Sequence, residues 1–65
     1  MYKNKIREIR KKKGLTLEYV SNVAGISVGY LCHLEKGTRV NPSAQIMEKI
    51  AKALEKSVPE VFFYQ

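Results

Sequence analysis

The two side chains of this 65-residue chain best suited to covalent or metal chemistry, Cys32 and His33, stand next to each other. A nucleophilic pair needs thiol and imidazole face to face at hydrogen-bond distance, whereas neighbours on a helix point about 100° apart. One cysteine excludes an intramolecular disulfide, and one Cys with one His falls short of the ligands a structural zinc site requires. No phosphate-cradling glycine loop and no carboxylate pair in an evident cleft adds a catalytic alternative. These residues predict neither enzyme nor metal nor cofactor, and the chemistry that remains is contact. Of the formal net charge of +6, the bias lies at one end. Lys3, Lys5, Arg7, Arg10, Lys11, Lys12 and Lys13 crowd the first segment against Glu8, while bases and acids balance beyond Gly14. A basic cluster of this kind either solvates a helix face or meets a polyanion.

The elements that must position these residues are helical. Residues 5–13 read as a first helix with Asn4 as its cap, Ile6 and Ile9 on one face, and Gly14 at the left-handed stop. Thr16 caps a second helix over 17–24, with Leu17, Val20 and Ala24 inward and Glu18 in the first turn, where the helix dipole favours an acid. Gly25 supplies a tight turn, and Ser27 caps a third helix over 28–36 that Gly37 ends. Thr38 to Pro42 is a polar connection in which Pro42 disfavours helix at Asn41. Ser43 caps a fourth, strongly amphipathic helix from Ala44 to about Lys56, with Ile46, Ile50, Ala53 and Leu54 inward. Ser57-Val58-Pro59-Glu60 fits a capping box for a short fifth helix that carries Val61 and Phe62 onto the core.

With no strand pattern, repeat or linker, the chain reads as one all-α domain spanning 1–65. A domain this small hides about 60% of its unfolded surface, so its core is small. No apolar run approaches the ~20 residues of a membrane span, and no secretory leader pattern follows Met1, which predicts a soluble cytoplasmic protein.

Taken together, Ile9-Arg10, Gly14-Leu15-Thr16, Val20, Gly25-Ile26-Ser27, Leu31, Leu34-Glu35-Lys36-Gly37, Asn41-Pro42-Ser43, Ala51 to Leu54 and Ser57 to Phe62 resemble the Xre/Cro-type helix-turn-helix regulators. That family includes phage repressors, restriction-modification controller proteins and short bacterial repressors. Tyr30-Leu31 and the long Thr38 to Pro42 connection look most like Sin-type repressor DNA-binding domains. The resemblance implies a five-helix, lambda-repressor-like fold, and a transcriptional regulator with the third helix in the major groove of double-stranded DNA. The sequence departs from the family pattern at Leu17, where glutamine is frequent, at Ser21 in place of alanine, and at Glu55-Lys56 in place of a glycine-led connection. At Val28 and Gly29, many relatives carry polar side chains that read base edges.

On the third helix, Leu31, Leu34 and Glu35 fall on one side and Gly29, Cys32, His33 and Lys36 on the other, with Val28 and Tyr30 at the borders. Val28, Gly29 and His33 are therefore the candidates for base readout: Val28 toward a thymine methyl, His33 as donor or acceptor, and Gly29 through close backbone approach or simple tolerance. Candidate phosphate contacts are Lys12, Lys13, Thr16, Leu17, Ser27, Tyr30, Lys36, Thr38, Arg39 and Asn41, the helix starts contributing backbone N–H groups. Tyr30 can also cover the core with its ring. Arg10 and Glu35 resemble the family's structural ion pair tying the first helix to the end of the third. Because one helix reads only a few base pairs, a homodimer on two half-sites is expected, with Val61, Phe63 and Tyr64 at its interface. Two rivals stay open: a protein-interaction module that meets a regulatory partner, favoured by the apolar Val28-Gly29, and a non-specific nucleic-acid binder.

Overall fold

Four of the helices end in the same way, and those endings explain most of the chain path. The computed structural model describes residues 4–38 and 42–62 and contains α1 (Ile6–Lys12), α2 (Leu17–Ala24), α3 (Val28–Lys36), α4 (Ala44–Ala53) and α5 (Val58–Phe62). After α1 to α4, a backbone N–H reaches back five residues to a carbonyl. The bonds run from Leu15 to Arg10 (2.9 Å), Ile26 to Ser21 (2.9 Å), Thr38 to His33 (3.2 Å) and Lys56 to Ala51 (2.9 Å). This closure requires a left-handed residue just before the donor. Gly14 (φ 70°), Gly25 (φ 72°) and Gly37 (φ 74°) fill the role in the first three, and Glu55 (φ 59°) fills it in the fourth.

The starts are as regular. Thr16 Oγ1 accepts from Tyr19 N at 3.0 Å, Ser27 Oγ from Tyr30 N at 3.0 Å, and Ser43 Oγ from Ile46 N at 3.2 Å. Each satisfies an orphan donor of a first turn, worth about 1 kcal/mol. At α5, Ser57 N donates to Glu60 Oε1 at 2.8 Å while Glu60 N donates to Ser57 Oγ at 3.4 Å, a reciprocal capping box. The first helix differs from its expected form. Lys5 rather than Asn4 occupies the cap position and makes no side-chain cap bond. Asn4 instead accepts from Ile6 N at 3.1 Å and donates through Nδ2 to the Leu34 carbonyl at 2.8 Å, clamping the start of α1 to the end of α3. The fourth helix also stops at Ala53, short of the expected Lys56, because Glu55 turns left-handed.

One core serves all five helices. Ile6, Val20, Leu31, Leu34, Ile50, Leu54 and Val61 are fully enclosed, with Ala24, Ala51, Ala53 and Phe62 beside them. The helix α2 packs against α3 and α4, and α5 against α4 and α1. Ser21, at the position where the family favours alanine, is buried, and its hydroxyl donates to the Glu18 carbonyl at 3.0 Å, so the polar atom costs no unsatisfied bond. The fold is all-α, with no strand among the described residues. Val61 belongs to this core. With its side chain wholly enclosed by its own subunit, it has no surface to offer a second copy, which corrects its expected place in a dimer interface.

Candidate nucleic-acid interface

The two faces of α3 are separated by their surroundings. Leu31 and Leu34 enter the core, and Glu35 beside them receives Arg10 from α1. Arg10 Nε donates to Glu35 Oε2 at 2.7 Å and Nη2 to Oε1 at 3.3 Å, while Nη1 donates to the Leu15 carbonyl at 2.9 Å. With side-chain exposures of 12% and 6%, the pair is shielded from water, and its fork geometry fixes rotation as well as distance. Together with the Asn4 clamp, it locks the last turn of α3 onto α1.

The outward face carries Val28, which is 39% exposed, and the exposed Gly29, His33 and Lys36. A Cβ built at Gly29 would meet nothing within 4 Å, so packing inside the subunit does not require glycine there. Cys32, expected on this open face, is half-buried. Tyr30 is half-buried and its ring packs on the core. The His33 ring is tethered: Nδ1 lies 3.1 Å from Thr38 Oγ1, and that hydroxyl donates to the His33 carbonyl at 3.3 Å. This link joins two of the expected contact residues and has no sequence signal beyond their separation across Gly37.

At the start of α2, Thr16 is exposed and Leu17 half-buried against the core, while Ser27 is exposed at the start of α3. Lys12 and Lys13 are exposed at the end of α1, and Lys13 lines a groove with Leu15 and Tyr19 by the start of α2. Both lysines also line a groove of ≈ 470 Å³ with Lys5, Glu8, Ile9, Lys56 and Glu60, and no α3 residue lines it. Lys13 Nζ stands 3.5 Å from Glu55 Oε1. Arg39, Asn41, Phe63 and Tyr64 lie outside the described residues. Sequence reasoning passed over Tyr19 and Val23, 51% and 52% exposed on α2; their four-residue spacing off the core stripe was the available signal. Among the described residues no group of three or more His, Cys, Asp or Glu is placed to hold a metal ion, and no helix is long and apolar enough to cross a membrane.

A capped helix with one face locked into the core and the other open, following a shorter helix across a glycine turn, is the geometry of a groove reader. The sequence profile described as Helix-turn-helix matches residues 6–61. The chain belongs to the helix-turn-helix family. This family, of Xre type, is one of non-enzymatic transcriptional regulators. Among its members, the transcriptional regulators SlrR and SinR of Bacillus subtilis are 37% and 36% identical to this chain over 88% and 89% of its length. The chain spans 38% of SlrR and 52% of SinR, so it corresponds to one part of each. The crystal structure of the restriction-modification controller protein C.AhdI from Aeromonas hydrophila superimposes with a TM-score of 0.80 at 34% identity, covering 86% of this chain and 83% of that one. The structure of SinR in complex with DNA superimposes with a TM-score of 0.77 at 37% identity, covering 83% and 86%. SinR has also been solved in complex with the SinI protein.

Proposed function

We propose that this chain is a sequence-specific double-stranded DNA-binding module of a transcriptional regulator, a repressor acting in the cytoplasm as a homodimer, with α3 in the major groove. The observation that carries the reading is the open face of α3 on a helix whose other face is locked by Arg10, Asn4 and the core, in a fold shared with a SinR chain crystallised on DNA. Val28, Gly29 and His33 would meet base edges. Thr16, Leu17, Ser27, Tyr30, Lys36 and Thr38, with Arg39 and Asn41, would meet phosphates and sugars. Lys12 and Lys13 support affinity through the basic field of α1. Residues 1–65 act as a single domain, and Phe63 and Tyr64 remain the proposed dimer contacts.

Selection of bound duplexes from a random pool at physiological salt tests this reading. Enrichment of an inverted repeat with half-sites about one helical turn apart is the expected result. Absence of enrichment, with weak binding alone, overturns sequence-specific recognition. Replacing Arg39 by Ala should weaken binding to every duplex alike and lower the salt slope by about one counterion; an unchanged slope removes Arg39 from the phosphate set. A second reading, docking of a regulatory partner protein, is favoured by the exposed apolar Tyr19, Val23 and Val28. Salt separates the two, because DNA binding falls steeply with ionic strength and an apolar protein interface does not.

A further inference from the structure

The reading face of α3 is short of hydrogen-bonding groups, which makes each one it has consequential. Val28 is apolar, Gly29 has no side chain, and Lys36 at the far end is a donor only. His33, exposed one turn beyond Gly29, can be a donor or an acceptor according to which ring nitrogen holds the proton.

The surroundings of the ring bear on the choice, because the single hydroxyl proton of Thr38 serves either the ring or the carbonyl. Nδ1 lies 3.1 Å from Thr38 Oγ1, and the same oxygen stands 3.3 Å from the His33 carbonyl, to which it donates. A hydroxyl has one proton and two lone pairs, and a carbonyl can only accept. With the hydroxyl proton directed at the carbonyl, Oγ1 meets the ring with a lone pair, and Nδ1 must bring the hydrogen. Neutral His33 is then left with a bare Nε2. Thr38 is placed for this by the turn that ends α3: Gly37 goes left-handed and Thr38 N donates to the His33 carbonyl at 3.2 Å.

We propose that Thr38 is a positioning residue that fixes His33 in the Nδ1–H tautomer, so that His33 presents Nε2 as an acceptor and selects a base edge offering an amino donor. In the major groove those edges are adenine N6 and cytosine N4, whereas guanine offers only the acceptors O6 and N7. The selectivity rests on the DNA-binding reading above; the tautomer does not.

The free 65-residue chain, labelled with ¹⁵N at histidine, tests the tautomer directly through its long-range imidazole ¹H–¹⁵N correlations, recorded with the ring neutral. Nδ1 should resonate as the protonated nitrogen and Nε2 as the bare one. Thr38→Val should lose or reverse that pattern, and Thr38→Ser should restore it. A wild-type ring protonated at Nε2 overturns the proposal without recourse to any variant, as does a Thr38→Val spectrum that matches wild type. The base preference is then read by duplex selection, with the position under His33 identified as the one whose preference disappears in His33→Ala. Wild type and Thr38→Ser should favour adenine or cytosine there by about fivefold, the effect of one net hydrogen bond, and Thr38→Val should lose this. Guanine at that position overturns the selectivity. The expected ¹⁵N pattern with no duplex enriched would refute the DNA-binding reading and leave the tautomer standing.

Discussion

The inner and outer faces of α3 are built by opposite means. Inside, Leu31 and Leu34 are fully enclosed, Glu35 is gripped by Arg10, and the Leu34 carbonyl is held by Asn4. Outside, Val28, Gly29 and His33 are exposed, and the His33 ring meets Thr38. The orientation of the helix is therefore set by residues that do not face the groove, and the residues that face it can vary without disturbing orientation. The sharpest way to break this division is to compare Glu35→Ala with His33→Ala. Removing Glu35 strips the shielded Arg10 of its carboxylate and leaves it only the Leu15 carbonyl, so Glu35→Ala should cost about 3 kcal/mol. In a domain this size that lowers Tm by well over 10 °C. His33→Ala should stay within about 0.5 kcal/mol of wild type. Comparable Tm losses in the two variants would dissolve the distinction.

Two glycines sharpen the comparison, because both have open space where a Cβ would go yet differ in backbone. Gly25 closes α2 at φ 72°, and Gly29 lies within helix α3. Gly25→Ala should destabilise by about 1 to 2 kcal/mol through left-handed strain. Gly29→Ala should stabilise by about 0.5 to 1 kcal/mol through helix propensity. Thermal melts check both signs. If Gly29→Ala binds DNA more weakly while melting higher, close backbone approach explains the glycine; if binding is unchanged, the position merely tolerates it.

The same contrast holds between the ends of α3 and α4. Both close with a five-residue back-bond through a left-handed residue, one a glycine and the other Glu55. Glu55→Gly should raise stability by up to about 1 kcal/mol. Its contact with Lys13 offsets little of this, because the Glu55 side chain is 83% exposed and surface pairs contribute about 0 to 1 kcal/mol. A fall in Tm would show that the Lys13 contact outweighs the strain.

This pair of endings also marks how far the chain could be read from its residues. The bounds of α2 and α3 were legible because Thr16, Ser27, Gly25 and Gly37 each announce a cap, and capping is local chemistry. Glutamate announces nothing of the kind, so the turn at Glu55, and with it the end of α4, was not visible. Asn4 carried a real signal that the fold uses differently. Its side chain spans to Leu34, thirty residues on, a contact that no local pattern encodes. Within the candidate site, the apolar rhythm of α3 revealed the exposure of Gly29, His33 and Lys36 but not the half-burial of Cys32. The link from Thr38 to His33 depends on the path of a turn. Val61 shows the limit at the other end: an apolar tail reads alike whether it seals its own core or a neighbour's, and only packing decides.

The smallest expected effect concerns a side-chain cap that titrates, the carboxylate of Glu60. Thr16, Ser27 and Ser43 cap with hydroxyls and are indifferent to pH, whereas α5 relies on the Ser57–Glu60 box. The Ser57 backbone N–H, donating to the Glu60 carboxylate, holds it below its ordinary value of 4.5; the Ser57 side chain acts in the same direction, partial loss of hydration opposes them, and Lys56 adds a smaller lowering. A carboxyl whose folded pKa is depressed adds stability that is complete above the unfolded value and is lost as pH falls through the folded one. The Tm difference between wild type and Glu60→Gln should therefore be constant from pH 7 to about 5 and shrink below 4.5. Other carboxylates titrate in both proteins and cancel in the difference. Because Glu60 is fully exposed to solvent, added salt should shrink the difference further. A gap unchanged between neutral and acidic pH would mean that the box at α5 holds through its hydroxyl alone, like the caps of α2 and α3.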